Sequence, residues 1–214
     1  MNLYTLSDNK YKKLNEKPFL REKEMQNLFE KNLTDITGLE LVKSEFKINK
    51  KRIDTLAFNS GSNSFVIIEY KRDKDYSAID QGIAYLTLML EYKAEFIMAY
   101  NSRFNRELKA REIKWNKSLV VFISQDFTEY QLRAANYKYF PIILLEVKYF
   151  ENGLLMVNEL RKSTQAEFLK QVLMAEDPPP DQILPDIKIE DPPAGSENWY
   201  KTPLWMKIRS LASK

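Results

Sequence analysis

The segment that most constrains the fold is residues 118–124, in which every position from Leu119 to Ile123 is apolar. A continuous apolar run of this length is typical of a strand that other elements cover on both faces. Such a strand lies in the interior of a sheet, between layers of helices. We therefore predict a central strand here.

Helices and strands alternate along the rest of the chain, which indicates the α/β class. Apolar residues at three- and four-residue steps predict helices over 20–36, from Ser77 to about Asn105 with one break, over 126–137 and over 164–175. Alternating or continuous apolar segments predict strands over 39–48, 52–58, 64–71, 141–150 and 154–160.

The two ends of the chain differ from its middle in composition. Residues 1–14 are polar and rich in lysine without a sustained period, which predicts an irregular arm. Seven of the nine prolines lie between Glu176 and Pro203, so we predict an acidic, proline-rich linker over 177–198 and a short helix over 199–214. The folded domain is therefore expected to span residues 15–176.

Composition excludes several kinds of chemistry. The chain has no cysteine and no histidine, so thiol nucleophiles, disulfides, imidazole bases and ordinary zinc sites are excluded. Catalysis would depend on carboxylates, lysine, hydroxyls or a metal held by oxygen. A net charge of +3 is too small to identify a nucleic-acid partner by itself. The sequence shows neither a signal peptide nor an apolar span, so we predict a cytoplasmic protein without a membrane partner.

The most informative segment is a predicted β-hairpin formed by residues 52–58 and 64–71. A two-residue turn at Gly61 and Ser62 sets a register in which Asp54 lies opposite Glu69. Side chains on a strand alternate between faces, so Lys71 lies on the same face as Glu69. The sequence therefore predicts two carboxylates and a lysine at one place on the sheet.

Paired carboxylates and a lysine predict metal-dependent hydrolysis. Like charges directly opposite each other destabilise a sheet unless something neutralises them. Oxygen ligands alone favour a hard cation such as Mg²⁺ or Mn²⁺, which also binds phosphate oxygens. A lysine beside the cation can orient water and offset charge on a phosphate. A surface ion network is the alternative, but apolar neighbours on both faces of these strands favour a functional site.

Asp54 followed by Glu69-Tyr70-Lys71 resembles the D…(D/E)xK signature of the PD-(D/E)XK, or restriction-endonuclease-like, nuclease superfamily. The longer run from Phe65 to Tyr85 more narrowly resembles an uncharacterised prokaryotic branch that is often labelled predicted transport protein. This likeness spans roughly residues 1–160. It implies a mixed central sheet flanked by helices, and a nuclease that cleaves DNA or RNA with Mg²⁺ or Mn²⁺.

The resemblance also implies roles for single residues. Asp54 and Glu69 would bind the metal together with the backbone carbonyl of Tyr70, and Lys71 would be the catalytic lysine. Glu30 would be the acid of the first helix, at the active site and as a further candidate ligand. Ile53 departs from the superfamily pattern, in which many members have proline before the aspartate.

Three residues outside the hairpin have alternative interpretations. Gln81 and Tyr85 resemble the QxxxY motif that RecB-like nucleases have beside the active site. Gln81 is otherwise a helix-surface amide, and Tyr85 is otherwise a core aromatic. Glu45 on the preceding strand is an alternative to Glu30.

Basic residues near the hairpin predict where nucleic acid would bind. Lys51, Arg52, Arg72 and Lys74 could form a phosphate-facing rim, with Tyr85 as a further contact. A solvated strand edge explains the lysines equally well. The rival functions are a nucleic-acid-binding or regulatory module without turnover, and an adaptor whose C-terminal tail binds a second copy or another protein.

Overall fold

The computed structural model describes residues 2–72, 78–135 and 141–160, and the structural statements below concern these residues. The predicted helix at 164–175, linker at 177–198 and terminal helix at 199–214 lie outside the described residues. The bounds of the folded domain therefore stay predictions.

The described residues form eight strands and five α-helices. The strands are β1 (Tyr4–Ser7), β2 (Lys10–Lys13), β3 (Glu40–Ile48), β4 (Lys51–Asn59), β5 (Ser64–Lys71), β6 (Leu119–Ser124), β7 (Ile142–Tyr149) and β8 (Leu155–Glu159). The helices are α1 (Glu22–Lys31), α2 (Leu33–Thr37), α3 (Ala78–Glu91), α4 (Lys93–Phe104) and α5 (Glu129–Ala135). Short 3₁₀ turns lie at Ala110–Glu112 and Trp115–Lys117.

Strands β3 to β8 form one mixed sheet in the order β3-β4-β5-β6-β7-β8. The neighbours β5, β6 and β7 are parallel, and the other neighbouring strands are antiparallel. Apolar side chains from α1 and α2 pack on one face, and those from α3, α4 and α5 pack on the other. The predicted α/β fold with a mixed central sheet flanked by helices is confirmed.

The predicted central strand is confirmed as β6. It lies between β5 and β7, and Val120, Phe122 and Ile123 are completely buried. Val121 and Ile123 belong to the core beneath α1, whereas Val120 and Phe122 belong to the core beneath α3. The apolar run exists because both faces of this strand are covered.

Two predictions about local structure are wrong. The irregular arm contains the hairpin β1–β2, whose turn residues Asp8 and Asn9 have φ of 53° and 56°. This pair is typical of a type I′ turn, which favours Asn, Asp and Gly. The first helix is also two helices, because Asn32 (φ −124°) separates α1 from α2. The break predicted in the second helical region is confirmed at Tyr92.

The helices of the described residues are too short or too polar to span a bilayer.

Candidate active site

The candidate site lies at the open end of the β4–β5 hairpin, away from the loop that joins the two strands. The ladder runs from Asn59↔Ser64 to Thr55↔Ile68, and one further step in this register brings Asp54 opposite Glu69. The predicted register is therefore confirmed, although the turn is longer than expected. Residues 60–63 form a four-residue loop, in which the Asn59 side chain accepts the Ser62 N–H at 3.0 Å.

Asp54 is fixed through both its side chain and its backbone. Its Oδ2 accepts a hydrogen bond from the backbone N–H of Tyr70 at 3.2 Å. Its carbonyl oxygen accepts one from Gln26 Nε2 on α1 at 2.8 Å. Burial raises the pKa of Asp54, while the Tyr70 N–H opposes this shift. The hydrogen bond from Tyr70 therefore holds the Asp54 carboxylate next to β5, just beyond the last pair of the β4–β5 ladder, Thr55↔Ile68.

Glu69 is the most buried acid of the site, with 5% of its surface exposed. Its Oε1 accepts a hydrogen bond from Gln81 Nε2 at 2.8 Å and lies 3.8 Å from Lys71 Nζ. Its Oε2 is buried and has no hydrogen-bond partner among the described residues. Burial, together with the negative charge of Asp54, raises the pKa of Glu69 to about 8, although Lys71 and Gln81 oppose the shift.

Lys71 lies on the same face of β5 as Glu69, as strand alternation predicts. Its side chain is 15% exposed, and the 3.8 Å separation from Glu69 is an ion-pair distance. The structure thus brings together Asp54, Glu69 and Lys71, the three residues that the hairpin register predicts.

Helix α3 places the predicted Gln81 and Tyr85 beside the site. Gln81 Nε2 donates to Glu69 and also to the Tyr85 hydroxyl, at 2.9 Å. The Tyr85 hydroxyl donates to the Arg52 carbonyl at 2.9 Å. Burial, followed by the charge of Glu69, raises the pKa of Tyr85 to about 12. With 5% of its surface exposed, Tyr85 offers little area for a nucleic-acid contact and instead orients Gln81.

Gly82 determines how closely α3 approaches the sheet. A Cβ at this position would lie 2.9 Å from Ile142 Cδ1 and 3.1 Å from Phe122 Cε2. Glycine therefore allows the first turns of α3 to lie directly on β6 and β7. Because Gln81 is the preceding residue, this close approach also fixes the distance between Gln81 and Glu69.

Glu30 lies in a different network, beneath α1. Its Oε1 accepts hydrogen bonds from Thr55 Oγ1 at 2.5 Å and from Gln26 Nε2 at 2.9 Å. Thr55 follows Asp54 on β4, so their side chains lie on opposite faces of the sheet. The Thr55 hydroxyl also lies 3.4 Å from the Tyr70 hydroxyl. Glu30 is therefore connected to Asp54 only indirectly, through Gln26.

Glu45 lies opposite Asp54 on β3, between the pairs Ser44↔Thr55 and Phe46↔Ile53. It has a left-handed backbone, with φ of 51°, which is uncommon for a glutamate in a strand. Its carboxylate lies 2.6 Å from Lys23 Nζ and 3.0 Å from Arg52 Nε. The hydrogen bond from Lys23 holds the pKa of Glu45 below its usual value.

Across β3, β4 and β5, three acids thus occupy neighbouring positions, but they do not form a common cluster. The described residues contain no group of three or more acidic side chains that could share a metal ion. Cationic partners bind Glu45, and the α1 network binds Glu30. Only Asp54 and Glu69 remain as an adjacent pair.

Sequence analysis did not identify Gln26, although this side chain joins α1 to the site. It is 3% exposed and donates to Glu30, to Ser44 Oγ at 3.3 Å and to the Asp54 carbonyl. Its position four residues before Glu30, within the apolar stripe of the helix, was the available signal.

The residues of the predicted basic rim differ in their surroundings. Lys51 is exposed at the start of β4, whereas the Arg52 side chain is 62% exposed and pairs with Glu45. The Arg72 guanidinium donates to the Leu20 carbonyl at 3.3 Å. Lys74 lies outside the described residues. The nucleic-acid role of this rim stays a prediction.

Comparison with known proteins yields one close relative in sequence. No family model matches the chain, so the narrower prokaryotic branch stays a prediction. The chain is 44% identical over 172 residues to an uncharacterized protein of Haemophilus influenzae. The match covers 80% of this chain and 57% of that protein, so the chain spans little more than half of its relative.

Three solved structures are similar to the chain at low TM-scores. A repair endonuclease from Pyrococcus abyssi gives a TM-score of 0.38 at 18% identity and covers 62% of this chain and 50% of that one. A complex of EndoMS with double-stranded DNA gives 0.35 at 16%, with coverages of 58% and 44%. SfsA of Pyrococcus furiosus in complex with Ca²⁺ gives 0.34 at 14%, with coverages of 69% and 74%.

Proposed function

We propose that the chain is a nuclease that hydrolyses phosphodiester bonds of DNA or RNA and depends on a divalent metal. The observation that supports this most directly is the buried Glu69 Oε2, which lacks a hydrogen-bond partner among the described residues. Buried polar atoms are nearly always satisfied. An unsatisfied carboxylate oxygen beside a second carboxylate, Asp54, is a position suited to a cation.

The donor set fits Mg²⁺ or Mn²⁺. Both side-chain ligands would be carboxylates, and the Tyr70 carbonyl is a third candidate of the same hard character. Two acids are enough for Mg²⁺, which usually retains several waters and binds one or two carboxylates. The charge of Asp54 contributes to the raised pKa of Glu69, so a cation would relieve their repulsion. Glu30 is the weaker candidate ligand, because Thr55 and Gln26 already donate to its Oε1.

The side chains around Glu69 have distinct tasks in this proposal. When bound, the cation supplies the Lewis acidity that phosphodiester hydrolysis requires. Gln81 occupies Glu69 Oε1 and leaves Oε2 for the metal. Lys71 Nζ, a few ångströms from Oε1, can donate hydrogen bonds to a phosphate oxygen and to the attacking water. The Tyr85 hydroxyl accepts a hydrogen bond from Gln81, and Gly82 lets α3 lie close enough to the sheet for Gln81 to reach Glu69.

A catalytically silent nucleic-acid-binding or regulatory module is the alternative. It is favoured by the raised pKa of Glu69, since a carboxyl that retains its proton is tolerated without a metal. The two functions differ in whether Mg²⁺ binds tightly enough to displace that proton.

A cleavage assay tests the proposal directly. The full chain is incubated with single- and double-stranded DNA and RNA in Mg²⁺, in Mn²⁺ and in EDTA. We expect cleavage that requires the metal and is lost in Asp54→Asn and Lys71→Ala. Glu146→Gln is the matched control, because Glu146 is a half-buried acid on β7, two strands from Glu69. An inactive wild type that also fails to bind Mn²⁺ would favour the silent module.

A further inference from the structure

The hairpin β1–β2 has one exposed aromatic face. Leu6 lies opposite Tyr11, and Tyr4 lies opposite Lys13, so the four side chains share that face. The exposed fractions are 55% for Tyr4, 58% for Leu6 and 76% for Tyr11. Large apolar side chains seldom lie together in water without a binding role.

The same hairpin is strongly basic. Residues 2–13 contain three lysines, Lys10, Lys12 and Lys13, against a single acid, Asp8, in the turn. Lys10 and Lys12 lie on the reverse face, opposite Ser7 and Thr5. Lys13 lies on the aromatic face, so both faces of the hairpin carry positive charge. The hairpin therefore combines flat aromatic rings with a positive charge.

A hairpin of two strands is marginally stable in water by itself. All its strand residues except Ser7 are exposed, so its own packing adds little stability. The type I′ turn at Asp8 and Asn9 favours the hairpin conformation. A bound partner on the aromatic face would stabilise it further.

The chain that follows the hairpin runs along the edge of the main sheet that contains the candidate site. Lys17 N–H donates to the Tyr149 carbonyl at the end of β7, at 2.8 Å. Phe19 N–H then donates to Gln125 Oε1, just beyond β6, also at 2.8 Å. The Leu20 carbonyl finally accepts from Arg72, just beyond β5.

These contacts place residues 17–20, the segment that follows the hairpin, at the edge of the sheet where β5, β6 and β7 end. Strands β5, β6 and β7 are parallel, so their carboxyl ends share one edge. Lys71 is the last residue of β5 and precedes Arg72. The segment that leads from the hairpin into α1 therefore lies at the same edge as the candidate active site.

We propose that the hairpin β1–β2 binds single-stranded nucleic acid, and this inference rests on the proposed nuclease function because it concerns that enzyme's substrate. Tyr4 and Tyr11 stack on unpaired bases, and Lys10, Lys12 and Lys13 contact phosphates. Base stacking on aromatic side chains beside cations is the usual mode of binding single strands. A purely apolar partner would leave the lysines without a complementary charge.

The test is a binding measurement that needs no catalysis. Fluorescence anisotropy of a labelled oligothymidylate strand is recorded with the full chain in EDTA. We expect Tyr4→Ala with Tyr11→Ala to weaken binding about tenfold or more, and the matching Phe substitutions to restore it. Tyr130→Ala is the control, since Tyr130 is 60% exposed on α5.

The lysines are tested through salt dependence. Replacing Lys10, Lys12 and Lys13 by alanine should make the negative slope of log K against log salt shallower by about 2, because each phosphate contact contributes about 0.7 to its steepness for a single strand. Lys114→Ala with Lys117→Ala is the control, since both residues are exposed and precede β6, at the opposite edge.

Two results would overturn the proposal. The first is equal affinity in the Tyr4/Tyr11 variant and the Tyr130 control. The second is a wild-type dimer in sedimentation that the tyrosine substitutions dissociate while oligonucleotide affinity is unchanged, which would assign the face to a second copy. Failure of the nuclease proposal is distinguishable: wild type would then bind the strand through the hairpin but not cleave it with Mg²⁺.

Discussion

Glu69 and Glu30 occupy opposite sides of the sheet and have contrasting surroundings. Glu30 accepts hydrogen bonds from Thr55 and Gln26 at one carboxylate oxygen. Glu69 is more deeply buried, and its Oε2 accepts none from the described residues. A satisfied carboxylate stabilises the packing of α1 on the sheet. An unsatisfied one beside Asp54 needs a proton or a cation, which is the property of a binding site.

The largest expected effect comes from removing the charged groups on the Glu69 side of the sheet. Asp54→Asn or Lys71→Ala should lower the cleavage rate by about 10²-fold or more, since both groups would act on metal, water or phosphate. Folding should be retained in Asp54→Asn, because the oxygen of the new amide can still accept the Tyr70 N–H. Cleavage rates and circular dichroism are the measurements.

Lys148→Ala is the matched control for Lys71→Ala. Lys148 is also a partly buried strand lysine, 26% exposed, in an ion pair of 3.6 Å with Glu16. A loss of cleavage as large as that of Lys71→Ala would show that lysine charge, rather than position, determines the effect.

Glutamine substitutions separate the two glutamates. Glu69→Gln should weaken Mn²⁺ binding about tenfold or more, because a charged ligand is lost. Isothermal titration calorimetry measures this affinity. Glu30→Gln should leave the affinity nearly unchanged and lower the free energy of unfolding by about 1 to 2 kcal/mol, since the hydrogen bonds that Glu30 accepts from Thr55 and Gln26 would no longer be charge-assisted. Equal losses of Mn²⁺ affinity would make Glu30 a ligand and remove the contrast.

The raised pKa of Glu69 predicts a pH dependence of stability without metal. Between its usual pKa of 4.5 and the folded value of about 8, the folded chain retains a proton that the unfolded chain releases. The contribution of Glu69 to stability should therefore be largest below the usual value and fall as the pH rises to about 8, by at most about 1.4 kcal/mol per pH unit. Urea unfolding in EDTA measures this, and Glu69→Gln should flatten the curve. Parallel curves for the two proteins would contradict the assignment.

The smallest effect is expected at Gly82. An added methyl group would contact Phe122 and Ile142, so Gly82→Ala should displace α3 and lower the free energy of unfolding by about 1 kcal/mol, despite the higher helix propensity of alanine. Ala84→Gly, at an exposed position of the same helix, measures propensity alone. Stabilisation by Gly82→Ala would show that α3 has room to move away from Gln81.

Much of the fold could be predicted because its signals are local. The run from Leu119 to Ile123 indicated a strand buried on both faces, and β6 is that strand. The turn at Gly61 and Ser62 predicted the register of the β4–β5 hairpin, and the register is correct because the longer loop over residues 60–63 has the same centre. The hairpin β1–β2 was missed because its alternation is short and polar, although Asp8-Asn9 is a type I′ signal.

The sequence by itself determined which groups are available and which of them share a strand face. Without histidine or cysteine, only oxygen ligands and lysine remain, and period-two geometry joins Asp54, Glu69 and Lys71. Only the tertiary structure decided that Gln26 reaches the Asp54 carbonyl, that Glu30 is satisfied beneath α1 and that Lys23 and Arg52 neutralise Glu45. These contacts join residues on different elements, and their geometry depends on how each helix docks on the sheet, which no local period encodes.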